Sequence, residues 1–105
     1  MPTTTDRTGD NPHEASLYRA DLREATLTEA NLAQAYLHQA DLVGVNLRGA
    51  NLSEAELGGA DLTGADLAGA DLTRANLNRA TVAGDQLSRA QSLHGAILPD
   101  GTKHD

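Results

Sequence analysis

Leu stands at every fifth position over most of this chain, and the residue two places before it is Ala. From Ala15 to Gly84 the sequence runs through fourteen consecutive five-residue units of the form Ala, Asp or Asn, Leu and two variable residues. Thirteen of the fourteen central positions are Leu, from Leu17 to Leu77, and the last is Val82. Thirteen of the leading positions are Ala, the exception being Val45. This period excludes the two common regular structures. An α-helix turns about 100° per residue, so successive Leu would fall about 140° apart and spiral round the cylinder. A flat strand alternates faces with a period of two, and an odd spacing would send every second Leu into water. A chain that turns a corner once per unit instead keeps every Leu and Ala on one axis. Four units then close one coil, and coils stack through strand-like hydrogen bonds about 4.8 Å apart. The pattern predicts an all-β solenoid of about 3.5 coils over residues 15–84, fourteen units divided by four.

The polar positions agree with corners. Asp or Asn precedes Leu in nine of the fourteen units, where it can bond nearby backbone and hold a turn. Gly closes six units, at Gly44, Gly49, Gly59, Gly64, Gly69 and Gly84, as a bend with positive φ requires. The flanks read as ends of the stack. Residues 1–14 form an N-terminal tail and cap, with Asn11-Pro12-His13-Glu14 placing an N-cap residue, Pro at the first helical position and Glu for a capping box. Asp85 stands where an inward Ala belongs, so the coil is expected to stop at Gly84. Asp85 then caps a short helix, Gln86 to His94, with Leu87, Ala90 and Leu93 on one side and Gly95 as its stop. Residues 85–105 are thus a helical cap and tail, with a turn at Pro99-Asp100-Gly101 and mobile ends at 1–10 and 102–105.

The tandem A(D/N)LXX units resemble the pentapeptide-repeat family over residues 15–84. That resemblance implies a right-handed quadrilateral β-helix, with a C-terminal cap in the segment from Ser92 to Gly101. It also implies a non-enzymatic scaffold for protein interaction. Some family members imitate duplex DNA and bind DNA gyrase, which is the alternative reading. Those members tend to carry Phe at central positions, and this chain of 105 residues has none.

Composition narrows the chemistry further. Without Cys there is no disulfide and no thiolate metal site. The formal net charge of −7 is a mild acidic bias that argues against direct nucleic-acid binding. Residues 1–14 contain no apolar run, and no stretch approaches the roughly 20 apolar residues that span a bilayer. The expectation is a cytoplasmic chain that meets no membrane and takes an unidentified protein partner.

Three surface groups stand out when units twenty residues apart are stacked. Tyr18, Tyr36 and His38 fall together on the first face and form the aromatic surface, a favoured composition for an interface. Asp21, Asp41 and Asp61 fall in one column on the second, able to hold a cation or to imitate phosphates, or to bond their own turns. Arg74, Arg79 and Arg89 gather toward the C-terminal end as a weak basic cluster. No nucleophile, base and orienting group assemble for catalysis, and no cofactor loop is legible. The predicted assembly is a monomer, or a homodimer through Leu93, Ile97 and Leu98 should the tail not fold back.

Overall fold

The computed structural model describes residues 16–105, so the expected cap at Asn11–Glu14 and the tail before it lie outside the described residues. Parallel bridges join residues twenty apart throughout the repeats: Ser16 to Tyr36, Asp21 to Asp41, Thr26 to Asn46, Asn31 to Asn51, and so on to Asp61 with Thr81. Four pentads therefore make one turn. We number the sides by their apolar columns: face 1 holds Leu17, Leu37, Leu57 and Leu77, and face 2 Leu22, Leu42, Leu62 and Val82. Face 3 holds Leu27, Leu47, Leu67 and Leu87, and face 4 Leu32, Leu52, Leu72 and Leu93. Each side contributes one bridged residue and not an extended strand, because a turn begins two residues later.

The hydrogen bonds explain why five residues suffice for a side. In the unit 40–44, Ala40 N–H closes the turn onto Leu37 O (3.1 Å), and Asp41 N–H reaches back to Ala20 O (2.9 Å). Leu42 and Gly44 donate forward to Asp61 O and Thr63 O, both at 2.8 Å. The last donor, Val43 N–H, goes to the Asp41 side chain at 3.2 Å. All five N–H groups are satisfied, as burial against a neighbouring coil demands. The closing residue carries positive φ in thirteen of the fourteen pentads, from 57° at Arg19 to 72° at Gly69; Gly84, which opens α1, does not. Glycine is thus favoured there, yet eight other residues, among them Glu24, Gln39 and Arg79, adopt the same strained conformation.

Inside the coil the leucines from Leu27 to Leu77 and the alanines beside them are sealed from solvent. The leading position, Ala in thirteen units and Val45 in one, is buried throughout the described core and takes a small aliphatic side chain beside each Leu.

The C-terminal segment departs from the sequence expectation. Helix α1 spans Gly84–Leu87 only, with Ala83 and not Asp85 at its N-cap, and residues 88–94 are not helical. Asp85 is exposed, as a carboxylate excluded from the axis must be, while Leu87 returns to the apolar column. The chain then resumes stacking: Ser92 pairs with Asp71 and Ile97 with Asn76, each twenty-one apart, whereas Leu87 falls twenty after Leu67, so the segment between Leu87 and Ser92 takes up one extra residue. Residues 102–105, expected to be mobile, fold back instead, with Lys103 antiparallel to Ile97. Leu93 and Leu98 pack on the core, which favours the folded-back tail over an apolar dimer surface.

The helical turn interrupts the ladder, and one side chain repairs it. By the regular pattern Ala65 O accepts Gln86 N–H, but that donor is spent inside α1 on Ala83 O (3.1 Å). The Gln86 side-chain amide takes its place, donating to Ala65 O at 3.0 Å and to Leu62 O at 2.8 Å, while its oxygen accepts Ala83 N–H at 2.7 Å. Gln86→Ala is expected to lower stability by about 1–3 kcal/mol, the range for stranding partly buried polar groups. Gln86→Glu, which cannot donate, should cost at least as much near neutral pH. Urea denaturation of the three proteins checks this, and an unchanged midpoint in both variants would contradict it.

Candidate interaction face

The second position of the pentad decides which side is unusual. In all nine units with Asp or Asn there, the side-chain oxygen accepts the N–H two residues on, from Asp21 with Arg23 to Asn76 with Asn78. The five units without it carry Ser16, Thr26, Tyr36, Glu56 and Thr81. Three of the five, Ser16, Tyr36 and Glu56, are on face 1. There the turns at His38 and Gly58 lack the side-chain acceptor that nine other units supply.

Face 1 carries the aromatic residues foreseen from spacing. Tyr18 and Tyr36 are 58% and 52% exposed, unusual for rings in a protein with a purely aliphatic core. The Tyr36 and His38 rings stack with centroids 6.1 Å apart and planes 20° from parallel. Tyr18 stands one coil away in the His38 column and adds no ring pair among the described residues. His38 Nε2 lies 3.7 Å from Glu56 Oε1, and Asn76 Nδ2 donates to the same oxygen at 3.2 Å. Glu56 is the face 1 member that aromatic patterning alone does not single out. Its signal is the break in the Asp/Asn position.

Beside this group, at the corner between faces 4 and 1, a column of polar residues repeats every twenty positions. Gln34 Nε2 donates to Glu54 Oε1 at 2.9 Å, and Arg74 Nε lies 3.2 Å from Glu54 Oε2. These two bonds hold the Glu54 carboxyl below its ordinary pKa, the Gln34 bond first and Arg74 second. A shallow depression runs between the column and face 1, lined by Gln34, Tyr36, Glu54 and Glu56. The column was legible only at the period of the coil, not at the period of the repeat.

Asp21, Asp41 and Asp61 do stack in one column, as their bridges show. Each carboxylate is occupied with its own turn. Arg23 binds Asp21 at 2.8 Å and approaches Asp41 at 3.6 Å, and Thr63 gives Asp61 both its N–H (3.0 Å) and its hydroxyl (2.6 Å). The hydroxyl bond, then the backbone bond, pushes the Asp61 pKa down. Arg23 does the same to Asp21, through its guanidinium first. Among the described residues no three of His, Cys, Asp and Glu are grouped to hold a metal ion. Arg74, Arg79 and Arg89 fall on different sides: Arg74 and Arg79 close units on faces 4 and 1, and Arg89 follows α1 on face 3. Arg74 faces Glu54, and Arg89 reinforces the lowered pKa of Asp66 as its weakest contributor.

With the geometry established, comparison places the sequence. The pentapeptide repeats family matches residues 15–53 and 55–91, in eight copies. This chain is a pentapeptide repeat protein. Its fold is similar to that of a pentapeptide repeat protein from the Arabidopsis thaliana thylakoid lumen, with 34% identity and a TM-score of 0.75 over 92% of this chain. The chain spans 63% of the length of that relative. It also shares the fold of QnrB1, a plasmid-mediated fluoroquinolone resistance protein, at 19% identity and a TM-score of 0.55, covering 89% of this chain and 58% of that one. Comparison with curated proteins gives no match. No helix among the described residues is long and apolar enough to cross a membrane.

The Asp columns give the pentapeptide repeat a defined acid response. Asp61 has a folded pKa below its unfolded one, so its contribution is present above the ordinary carboxylate pKa and is lost as pH falls through the lowered value. Thermal midpoints should therefore hold steady from pH 7 down to about 5 and fall below about 4. Asp61→Asn keeps the turn acceptor, as Asn51 does with Ser53 at 3.0 Å. It should leave the midpoint at pH 7 nearly unchanged and make the acid slope shallower. An unaltered slope would remove Asp61 from this account.

Proposed function

We propose that this pentapeptide repeat protein is a non-enzymatic interaction scaffold, a rigid right-handed quadrilateral β-helix that engages a protein partner through Tyr18, Tyr36 and His38 on face 1. The observation that carries this reading is the concentration of exceptions to the repeat on that side. Tyr36 and Glu56 each occupy a position where Asp or Asn would cap a turn, so the stack forgoes a stabilising contact at two successive levels of face 1. A departure from an otherwise consistent pattern is expected where function and not folding selects the residue. Exposed Tyr rings suit an interface, since they bury much area with few rotatable bonds. A backbone fixed by coil-to-coil bonds presents them without a large ordering cost.

A duplex-DNA mimic, by contrast, needs an unbroken outward run of negative charge. Here Arg23, Arg48 and Arg74 pair with Asp21, Asp66 and Glu54 at 2.8, 2.9 and 3.2 Å and interrupt it. The acidic column Asp21, Asp41 and Asp61 accordingly serves turn formation in this reading.

Replacing Tyr18 and Tyr36 together by Ala should abolish partner capture in a pull-down from host extract while leaving the circular dichroism spectrum intact. Undiminished capture would remove the patch from the function. In a DNA gyrase supercoiling assay, micromolar protein is expected to leave the rate unchanged, and inhibition would reinstate the mimic.

A further inference from the structure

We infer that face 1 receives a segment of its protein partner carrying an arginine or lysine, the cationic side chain entering the depression lined by Gln34, Tyr36, Glu54 and Glu56. The inference rests on the scaffold reading above and names the chemistry of the partner at the same surface.

Three independent features converge on it. The first is the composition of the depression. Glu54 stands on one wall and Glu56 on the other, with the half-exposed Tyr36 ring beside them. A carboxylate beside an aromatic face suits a cation, because ring quadrupole and charge attract it together; Glu56 supplies most of that charge, since Arg74 at 3.2 Å already offsets Glu54 in part. Glu54 is already held in place by Gln34 and Arg74, and Glu56 by Asn76, so neither carboxylate need be ordered on binding. The protein as a whole carries a net charge of −7, which favours the approach of a basic segment.

The second feature is a pair of main-chain donors. In nine units the N–H two residues after Asp or Asn points outward to that side chain, as Ala33 does to Asn31 at 3.1 Å. The equivalent groups on face 1 are His38 N–H and Gly58 N–H, one coil apart, and Tyr36 and Glu56 do not take them up. Two outward N–H groups about 4.8 Å apart, the spacing of adjacent coils, offer donors to carbonyl oxygens of a peptide laid over the face.

The third is Gly58. It lacks the positive φ that explains glycine at the corners. A Cβ there would meet His38 Cδ2 at 3.4 Å and Asn78 O at 3.6 Å, ordinary contact distances. The backbone does not require glycine at this position, and its effect is to leave the surface over its own N–H uncovered.

The test uses the whole chain and two short probes, acetyl-Gly-Arg-Gly amide and the same peptide with citrulline, which keeps the shape and removes the charge. Titration followed by amide NMR should move the His38 and Gly58 resonances saturably with the arginine peptide. Affinity should be weaker by roughly tenfold with citrulline, the scale of a lost cation–π and carboxylate contact. Tyr36→Asn and Glu56→Asn restore the Asp/Asn cap, so they should fold at least as well by thermal melt while losing the arginine response. Asp41→Asn on face 2 removes one negative charge elsewhere and should leave the response unchanged. Equal response to citrulline, or an equal loss in Asp41→Asn, would overturn the cationic occupant. If the arginine response is absent while Tyr18→Ala with Tyr36→Ala still abolishes partner capture, the interaction face stands and the basic segment fails. If the arginine response is present and capture is undiminished, the groove stands and the aromatic contact fails.

Discussion

Everything in this molecule depends on a chain that can turn a corner every fifth residue without stranding a backbone donor. The corner consists of a Leu carbonyl accepting the N–H three residues on, with the second of the two residues between them in the left-handed region. Positive φ in a residue with a Cβ costs on the order of 1 kcal/mol, and eight such residues accept it. They are held there because each also donates its N–H to the next coil, as Gln39 does to Gly58 O at 2.9 Å. Local strain is thus opposed by a long-range bond at the same atom, and neither persists alone. Consecutive units share their carbonyls, so the coil behaves as a single cooperative object.

The spacing of Leu and Ala made the coil legible because so few backbones keep every fifth side chain inside. The role of Asp and Asn was equally readable, since a short side chain with an oxygen two residues before a free N–H has a local use. The C-terminal segment was misread for an instructive reason. Leu87, Ala90 and Leu93 fit helical spacing, but the same residues fit the column of a coil that has gained one residue. Periodicity alone cannot separate those readings when the segment is only a few units long. What decides is tertiary: Ala70 O and Ala75 O offer acceptors that Gln91 and Ile97 N–H take, at 2.7 and 2.9 Å. The compensating use of Gln86 was invisible in sequence, because it requires knowing which donor the helical turn has withdrawn.

The surface was legible in part. Stacking at twenty residues brought Tyr18, Tyr36 and His38 to one side, and the structure places them there with Tyr36 and His38 in ring contact. The polar column was not legible, because Gln34 and Glu54 are unremarkable within their own pentads and Arg74 reads along the chain as part of a basic group with Arg79 and Arg89. In repeat proteins the interior is written at the period of the unit and the exterior at the period of the coil. Surface chemistry has to be sought at the longer interval, where a variable position becomes the neighbour of another variable position.

The return of the last residues has a consequence for assembly. Leu98 N–H donates to Thr102 O at 2.7 Å, Gly95 N–H to His104 O at 2.9 Å, and Ala96 O accepts His104 N–H at 2.8 Å. In the body of the stack these same groups would serve the following coil. A strand running the opposite way now saturates them, so another molecule arriving at that end finds no template in register. Open parallel edges invite filament growth, and reversing the chain direction over the rim is a way to forbid it.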